Sequence, residues 1–205
     1  SVGEIVATSP LVKQIRKAMP ERPVLVSAFT VGGYNMAKQI IPEADAIIYF
    51  PLDLPFVAES LVKRIHPGVF MPVETELWPN FLRAIRERPI PVMMVNGRIS
   101  EKSVKNYRYL YGIWDDMLNT VTRFCMQSSI DADYIAHLGA DKQKIFVTGN
   151  TKFDQTYAEV TAEDLAKYRF ELGLKDHYPI IVAGSTHPGE EKILLESFKA
   201  VREKY

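Results

Sequence analysis

The chain has 205 residues, of which 47% are hydrophobic and 24% are charged, and this is the composition of a globular protein with one large or two small cores. Lys and Arg together number 25, as do Asp and Glu, so no net charge draws the chain to nucleic acid or to an anionic membrane. The single cysteine excludes an internal disulfide framework, and no apolar run approaches the roughly 20 residues of a membrane-spanning helix.

Short apolar runs rich in Val, Ile, Phe and Met alternate with longer segments of helical periodicity. The runs are apolar on both faces, as strands buried in a parallel sheet are. Strands are predicted at Val24–Phe29, Ala46–Phe50, Val69–Pro72, Val92–Asn96, Phe124–Gln127, Ile145–Thr148 and Ile180–Ala183. Helices are predicted at Leu11–Met19, Tyr34–Ile41, Pro55–Ile65, Pro79–Arg88, Ser100–Tyr111, Ile130–Leu138, Glu163–Leu172 and Glu190–Lys204. Successive strand–helix units predict an α/β fold, a Rossmann-like parallel sheet sandwiched by helices.

The pattern changes near residues 149–162. Six strand–helix units precede this stretch, whereas only two helices and the strand Ile180–Ala183 follow it. One strand and two helices cannot close a core of their own. We therefore expect one domain over residues 1–155, followed over residues 156–205 by a linker and the first unit of a second Rossmann-like domain.

The segments that follow the strands hold the candidate site residues, because ligands of open α/β sheets bind at the carboxyl ends of the strands. After the first strand, a turn with Thr30 and Gly32 opens a helix. Its amide groups could hold an anion, or the turn could be purely structural. Asp53, after the second strand, could cap the helix that begins at Pro55 or contact a ligand, and the cap is the favoured interpretation.

Two carboxylates, Glu74 and Glu76, follow the third strand beside Trp78. In an extended segment, residues two apart point to the same side, so crowding of their charges would raise the pKa of one carboxyl. Such a pair suits acid–base chemistry or the stabilisation of a positive centre. A solvated loop with a helix-capping Glu is the alternative.

Three more charged residues are candidates. Arg98 follows the strand Val92–Asn96 and could bind a phosphate group. Lys152 lies on the turn after the strand Ile145–Thr148, where a compact positive charge can also meet a phosphate. Glu4 lies near the first helix, either as a favourable partner of the helix dipole or as a general base facing a cleft. The four histidines are scattered, so no metal site is predicted.

As an ordered set, these turns resemble the Kdo transferases, which transfer 3-deoxy-D-manno-octulosonic acid (Kdo) in lipopolysaccharide synthesis. The matching stretches are Ser1–Glu4, Pro51–Leu54, Glu74–Asn80, Asn96–Ser100 with Ser103 and Tyr107, Gln127 with Ser128, Gly149–Asp154 and Ala183–Glu191. The chain also departs from the family's pattern. The turn at residues 29–33 is a loose version of the family's turn, Gly97 stands where Ala is usual, and Thr151 stands where Leu is usual.

The resemblance implies a GT-B fold with an amino-terminal domain for the lipid acceptor and a carboxy-terminal domain for the donor, CMP-Kdo. Residues 1–155 would be the acceptor-binding domain without its first strand, and residues 156–205 the start of the donor-binding domain. The implied activity is an inverting transfer of Kdo from CMP-Kdo to a lipid A precursor, lipid IVA, without metal or cofactor. The resemblance implies Glu4 as the general base, with Glu74 and Lys152 stabilising the transition state.

The remaining expectations concern ligands and location. Thr30, Gly32, Arg98 and Ser185 are expected to bind the acceptor or phosphate groups. The expected partners are the lipid A precursor, CMP-Kdo and the membrane surface, at the cytoplasmic face of the bacterial inner membrane, and no nucleic acid. The helix Pro55–Ile65 either contacts that membrane or packs on the sheet.

We expect the 205-residue chain to be inactive alone, because the residues for the nucleotide would lie beyond its last residue. Two alternatives to the transferase remain open. One is a non-catalytic acceptor-binding fragment, and the other is a different GT-B enzyme such as a nucleotide-sugar epimerase.

Overall fold

A computed structural model describes residues 1–100, 113–154, 160–174 and 180–204. The chain divides into two compact units, residues 1–156 and residues 157–205. The helix predicted over Ser100–Tyr111 lies, beyond Ser100, outside the described residues, as do Ser103 and Tyr107.

In the first unit, strands and helices alternate. The strands are β1 (Leu25–Ala28), β2 (Ala46–Tyr49), β3 (Met93–Gly97), β4 (Arg123–Met126) and β5 (Ile145–Val147). The helices are α1 (Val2–Ala18), α2 (Val31–Ile40), α3 (Pro55–Ile65), α4 (Pro79–Arg86), α5 (Ile113–Thr120) and α6 (Ser129–His137), with 3₁₀ turns at Lys142–Lys144 and Thr151–Asp154. Strand β1 pairs with β2, and β4 lies between β3 and β5, with every one of these pairings parallel. The predicted α/β architecture of parallel sheets flanked by helices is confirmed.

The segment predicted as the strand Val69–Pro72 forms only isolated bridges. It runs parallel to β3, with Phe70 opposite Val92 and Val73 opposite Val95. The Pro72 carbonyl accepts a hydrogen bond from the Val95 amide at 2.9 Å, but a proline has no N–H to donate in return. The segment therefore pairs in parallel with β3 as predicted, but through isolated bridges and not as a regular strand.

Helix α1 begins earlier than its apolar pattern predicted, at Val2 instead of Leu11. Ser1 and Glu4 form a capping box in which the Ser1 side chain accepts from the Glu4 amide and the Glu4 side chain accepts from the Ser1 backbone. Pro10, which directly precedes the predicted helix Leu11–Met19, lies inside α1. The loss of its hydrogen bond, a cost of about 3 kcal/mol in a helix interior, is offset by the buried face of α1.

Two clusters of buried side chains form the core of this unit. The larger surrounds β3 and β4, and its fully buried members include Leu82, Ile85, Met94, Phe124 and Ile135. The smaller joins α1, α2 and β1 through Val12, Val26, Ala37 and Ile41.

Helix α5 was not predicted. Its side chains Trp114, Met117 and Leu118 are buried in the larger core. Their spacing of three and four residues is that of a helical face, and two aspartates lie in the first turn. This pattern in the sequence could therefore have identified the helix.

Asp53 caps α4 and does not cap α3. Its carboxylate accepts hydrogen bonds from the amides of Asn80 at 3.0 Å and Phe81 at 2.9 Å, at the start of α4. Helix α3 has Leu54 as its N-cap, without a side-chain hydrogen bond. The prediction that Asp53 caps the helix beginning at Pro55 is wrong, because only the fold brings the start of α4 beside the end of β2.

The described part of the second unit contains α7 (Ala162–Glu171) and α8 (Glu190–Lys204), close to their predicted bounds. Residues Ile180–Ala183 do not form the predicted strand, and Ile181 and Val182 are exposed. A strand is stable only with a neighbour to pair with, and the described residues of this unit contain none.

Gly97, at the end of β3, faces two methionine side chains. A Cβ atom at this position would lie 2.6 Å from the sulfur of Met126 and 3.0 Å from that of Met94. The two sulfur atoms thus fill the space that the methyl group of an alanine would need.

We expect Gly97→Ala to lower the free energy of unfolding by about 1–3 kcal/mol, because the added methyl group overpacks the core around Met126. Gly68→Ala is the matched control, since nothing lies within 4 Å of a Cβ atom there. Its stability should be unchanged or slightly higher. Denaturant unfolding measures both, and equal stability of the two variants would contradict the packing argument.

Candidate active site

The 3₁₀ turn Thr151–Asp154 is held between β3 and α1. The Thr151 amide donates to the side-chain oxygen of Asn96 at 3.1 Å, and the Thr151 hydroxyl donates to the carbonyl of Ala7 at 2.8 Å. The next residue, Lys152, places its ammonium group beside the first turn of α1. A Cβ atom at Gly3 would lie 3.8 Å from Lys152 Nζ.

Lys152 also forms an ion pair with Glu74. Lys152 Nζ lies 3.5 Å from Glu74 Oε1, and the two side chains are 38% and 21% exposed. Both groups therefore remain accessible to a ligand while their charges offset each other. The fold brings together two residues that the resemblance singled out and that lie far apart in the sequence.

The backbone of Glu74 has a left-handed conformation, with φ at 58°. Its amide donates to the Val95 carbonyl at 2.9 Å, directly after the bridge between Val73 and Val95. Non-glycine residues rarely adopt this region, and such strained conformations concentrate at functional sites. The turn also shows that the Glu74–Glu76 segment is not extended, contrary to the sequence-based expectation.

Glu4 lines a small pocket of about 90 Å³, together with Thr8, Glu76 and Trp78. Its carboxylate accepts hydrogen bonds from the amino group of Ser1 at 2.6 Å and from the Ser1 hydroxyl at 2.9 Å. The hydrogen bond from the Ser1 hydroxyl to Glu4 would form whether or not the Ser1 amino group is charged. Glu4 thus caps α1 and also reaches the pocket, so its structural and chemical interpretations are compatible.

An aromatic wall lines the same pocket. Trp78 stacks against Phe29 with ring centres 5.3 Å apart and against Phe50 with ring centres 5.5 Å apart. Carboxylates beside aromatic rings fit a ligand that has both polar groups and an apolar face. Thr8 and Phe50 were not predicted as site residues, because only the fold brings them to the pocket.

Glu76 is the carboxyl whose pKa is raised. Burial raises the pKa of Glu76 most, and the negative charge of Glu4 raises it further. The positive charge of the Ser1 amino group and a hydrogen bond from the Trp78 side chain lower it. The prediction that one carboxyl of the Glu74 and Glu76 pair has a raised pKa is confirmed. The expected cause, repulsion between Glu74 and Glu76, makes only a minor contribution to the raised pKa, since Glu74 contributes less than burial and less than Glu4.

The raised pKa of Glu76 has a consequence for stability. Below the ordinary value of 4.5, the carboxyl is protonated in the folded and the unfolded chain alike, so its replacement changes little. As the pH rises through the raised pKa of the folded state, ionisation of the partly buried Glu76 destabilises the fold.

We therefore expect Glu76→Gln to be more stable than the unsubstituted chain at pH 8 and equally stable near pH 4. Denaturant unfolding at the two pH values measures the difference. Glu21→Gln, at an exposed position, is the control and should show no such dependence on pH. A Glu76→Gln variant that loses stability at pH 8 would contradict the assignment.

Two of the other predicted ligand residues lie at the start of α2. The Thr30 hydroxyl oxygen accepts from the Gly33 amide at 3.1 Å and so caps this helix. A Cβ atom at Gly32 would lie 3.4 Å from a methyl carbon of Val2, which places Gly32 against α1. Both residues thus have a structural role, and Thr30 keeps a hydroxyl proton to donate.

The last two predicted ligand residues differ in their surroundings. The Arg98 side chain is exposed, and its carbonyl accepts from the Thr75 hydroxyl at 2.9 Å, beside the loop that carries Glu74 and Glu76. Ser185 lies in the second unit, with φ at 55°.

Across residues 1–100, 113–154, 160–174 and 180–204, no group of three or more His, Cys, Asp or Glu side chains is placed to hold a metal ion. No helix in these same ranges is long and apolar enough to cross a membrane.

Comparison with known families identifies the group to which the chain is related. The profile of the family described as 3-deoxy-D-manno-octulosonic-acid transferase (kdotransferase) matches residues 1–155. The chain belongs to the Kdo transferase family. The resemblance inferred from the ordered motifs is thereby confirmed.

Curated relatives agree with this membership. The chain is 33% identical to the 3-deoxy-D-manno-octulosonic acid transferase of Haemophilus influenzae over 205 residues, all of this chain and 48% of the relative. It is 35% identical to a bifunctional glycosyltransferase/methyltransferase of Fusobacterium nucleatum, over 98% of this chain and 32% of the relative. The chain thus spans about half or less of the length of these relatives.

Solved structures show the fold. A UDP-N-acetylglucosamine 2-epimerase superimposes with a TM-score of 0.57 at 15% identity, over 88% of this chain and 48% of the epimerase. The UDP-GlcNAc 2-epimerase of Neisseria meningitidis, bound to UDP-GlcNAc, gives a TM-score of 0.54 at 14% identity, over 75% of this chain and 46% of the epimerase. These GT-B enzymes confirm the predicted fold class, and at this identity they carry no argument about the reaction.

Proposed function

We propose that the protein to which this chain belongs is an inverting transferase that moves Kdo from CMP-Kdo to a lipid A precursor, lipid IVA. The observation that carries the proposal is the position of the Lys152 ammonium group between the Glu74 carboxylate and the first turn of α1, which bears Glu4. Membership of the Kdo transferase family supports the same reaction.

In the proposed reaction, Glu4 is the general base. The acceptor hydroxyl gives its proton to the Glu4 carboxylate as its oxygen forms a bond to the anomeric carbon of Kdo. The bond from that carbon to the CMP phosphate oxygen breaks on the opposite face, and its electron pair stays on the phosphate. The configuration of the anomeric carbon is thereby inverted.

Glu74 and Lys152 would stabilise the charges that develop in the transition state. Positive charge builds on the sugar ring as the bond to the phosphate breaks, and the Glu74 carboxylate is the countercharge proposed for it. Negative charge builds on the departing CMP phosphate, and the Lys152 ammonium group is the proposed partner. We propose that the transfer needs no metal, since Lys152 supplies the positive charge.

The proposal assigns a role to each part of the chain. Residues 1–155 would bind the lipid acceptor, and residues 156–205 would form the linker and the start of the CMP-Kdo-binding domain. Thr30, Gly32, Arg98 and Ser185 are the proposed contacts to the acceptor or to phosphate groups. The Thr30 hydroxyl would donate to an anion while its oxygen keeps the cap of α2.

We expect Glu4→Gln in the full-length protein to reduce transfer at least about 100-fold, because the general base is lost. Glutamine also serves at this position of a capping box, so α1 should keep its cap and the melting temperature should stay close to that of the unsubstituted protein. The measurement is the transfer of Kdo from CMP-Kdo to lipid IVA. Glu21→Gln, at an exposed position, is the matched control.

Near-normal turnover of the Glu4→Gln variant would show that Glu4 is not the general base. Binding of lipid IVA without any transfer by the full-length protein would favour the acceptor-binding fragment. Epimerisation of a nucleotide sugar without transfer of Kdo would favour the epimerase.

We further propose that the first unit contacts the cytoplasmic face of the inner membrane, where its lipid acceptor would lie. Exposed apolar side chains follow the neighbouring strands β1 and β2: Phe29, Val31, Leu52, Leu54 and Phe56. Helix α3 packs into the larger core through Ala58 and Val62, as one of its two interpretations predicted. Phe56 on the same helix is 71% exposed and is free to enter a lipid surface.

We expect Phe56→Ser to weaken binding of the protein to vesicles of phosphatidylethanolamine and phosphatidylglycerol, measured by sedimentation with the vesicles. The physical reason is the loss of apolar area that enters the lipid. Met19→Ser is the control, since Met19 is also exposed but lies at the carboxyl end of α1. Equal binding of the two variants would refute the proposed membrane contact.

A further inference from the structure

Three amide side chains connect the ends of β3 and β4 to the turn that carries Lys152. The Gln127 side chain donates to the Asn96 backbone carbonyl at 3.0 Å and accepts from the Asn150 side chain at 3.1 Å. The Asn150 side-chain oxygen accepts from the Lys152 amide at 3.0 Å. We call Asn96, Gln127 and Asn150 the amide network.

Asn96 is the buried member of the amide network. It is 2% exposed, and its backbone has the left-handed conformation that asparagine adopts more readily than most residues, with φ at 52°. Its side-chain oxygen accepts the Thr151 amide at 3.1 Å. Its side-chain NH₂ group has no hydrogen-bond partner among the described residues.

A buried amide that is only half satisfied destabilises the fold, because its free donor has lost its hydrogen bonds to water. An apolar side chain at Asn96 would avoid this cost but could not hold the Thr151 amide. Asn96 thus binds the Thr151 amide while its own NH₂ group stays without a partner among the described residues.

The amide network fixes the backbone of the turn, which the ion pair with Glu74 cannot do. A lysine side chain has many rotamers, and one contact of 3.5 Å restricts only its end. The hydrogen bonds to the amides of Thr151 and Lys152 hold the chain from which the side chain extends. The Thr151 hydroxyl ties the same turn to α1.

We propose that Asn96, Gln127 and Asn150 are positioning residues for Lys152. They hold its backbone so that the ammonium group stays between Glu74 and the first turn of α1. The inference rests on the proposed role of Lys152 in the transfer of Kdo. The three amides act through Lys152 and do not touch the reacting atoms.

A double-mutant cycle in the full-length protein tests this inference. Gln127→Ala removes both side-chain links of Gln127, and Lys152→Met removes the charge that the network positions. We expect Gln127→Ala to lower kcat about 10- to 100-fold, since misplacement of a catalytic group by about 1 Å has an effect of this size. In the Lys152→Met background, Gln127→Ala should change kcat less than about twofold, because no ammonium group is left to position.

The control is Gln143→Ala, in the exposed 3₁₀ turn Lys142–Lys144, where the backbone amide of Gln143 and not its side chain makes the hydrogen bond. It should leave kcat unchanged in both backgrounds. Should Gln127→Ala fail to fold, Gln127→Glu replaces it. This variant still accepts from Asn150 but cannot donate to the Asn96 carbonyl, and the same pattern is expected.

The outcomes separate the two proposals. Normal transfer by Lys152→Met would overturn the proposed role of Lys152. If Lys152→Met lowers kcat, and Gln127→Ala lowers kcat by the same factor with and without the lysine, the positioning role is overturned and the role of Lys152 stands. An unchanged kcat of Gln127→Ala with the lysine present would do the same.

Discussion

The hydrogen bonds of Thr151 are the constraint on which the candidate site depends. Its amide is bound to Asn96 at the end of β3, and its hydroxyl is bound to Ala7 in α1. The two bonds join the three-stranded sheet to the helix that packs with β1. A side chain without a hydroxyl group could leave the first bond intact but could not make the second. In this chain, the place of Lys152 beside α1 therefore depends on a hydroxyl group.

The charges at the site are unequal in number. Three carboxylates, those of Glu4, Glu74 and Glu76, lie near two amino groups: Lys152 is paired with Glu74, and the Ser1 amino group is paired with Glu4. Burial raises the pKa of Glu76 most, and the negative charge of Glu4 acts in the same direction. An excess of negative charge favours a ligand or transition state that carries positive charge, in agreement with the proposed chemistry.

Local patterns in the sequence predicted the parallel strands and most helices, because apolar runs and helical periodicity are short-range properties. Errors arose where a distant segment decides the outcome. Asp53 caps α4 because the fold brings α4 beside it, and Ile180–Ala183 has no strand to pair with among the described residues. The ordered motifs named Glu4, Glu74 and Lys152, but the amide network could not be predicted, since its hydrogen bonds join three separate strand ends.

Helix caps and site residues compete for the same places in this fold, since the carboxyl end of a parallel strand is followed by the start of a helix. Ser1, Thr30, Asp53 and Ser128 all cap helices at this edge. A capping role is therefore no argument against a chemical one. The cap of α1 limits the rotamers of Glu4 while leaving its carboxylate at the pocket. A base held in this way loses less freedom when the acceptor binds, so the same hydrogen bonds that begin α1 also prepare Glu4 for the proposed proton transfer.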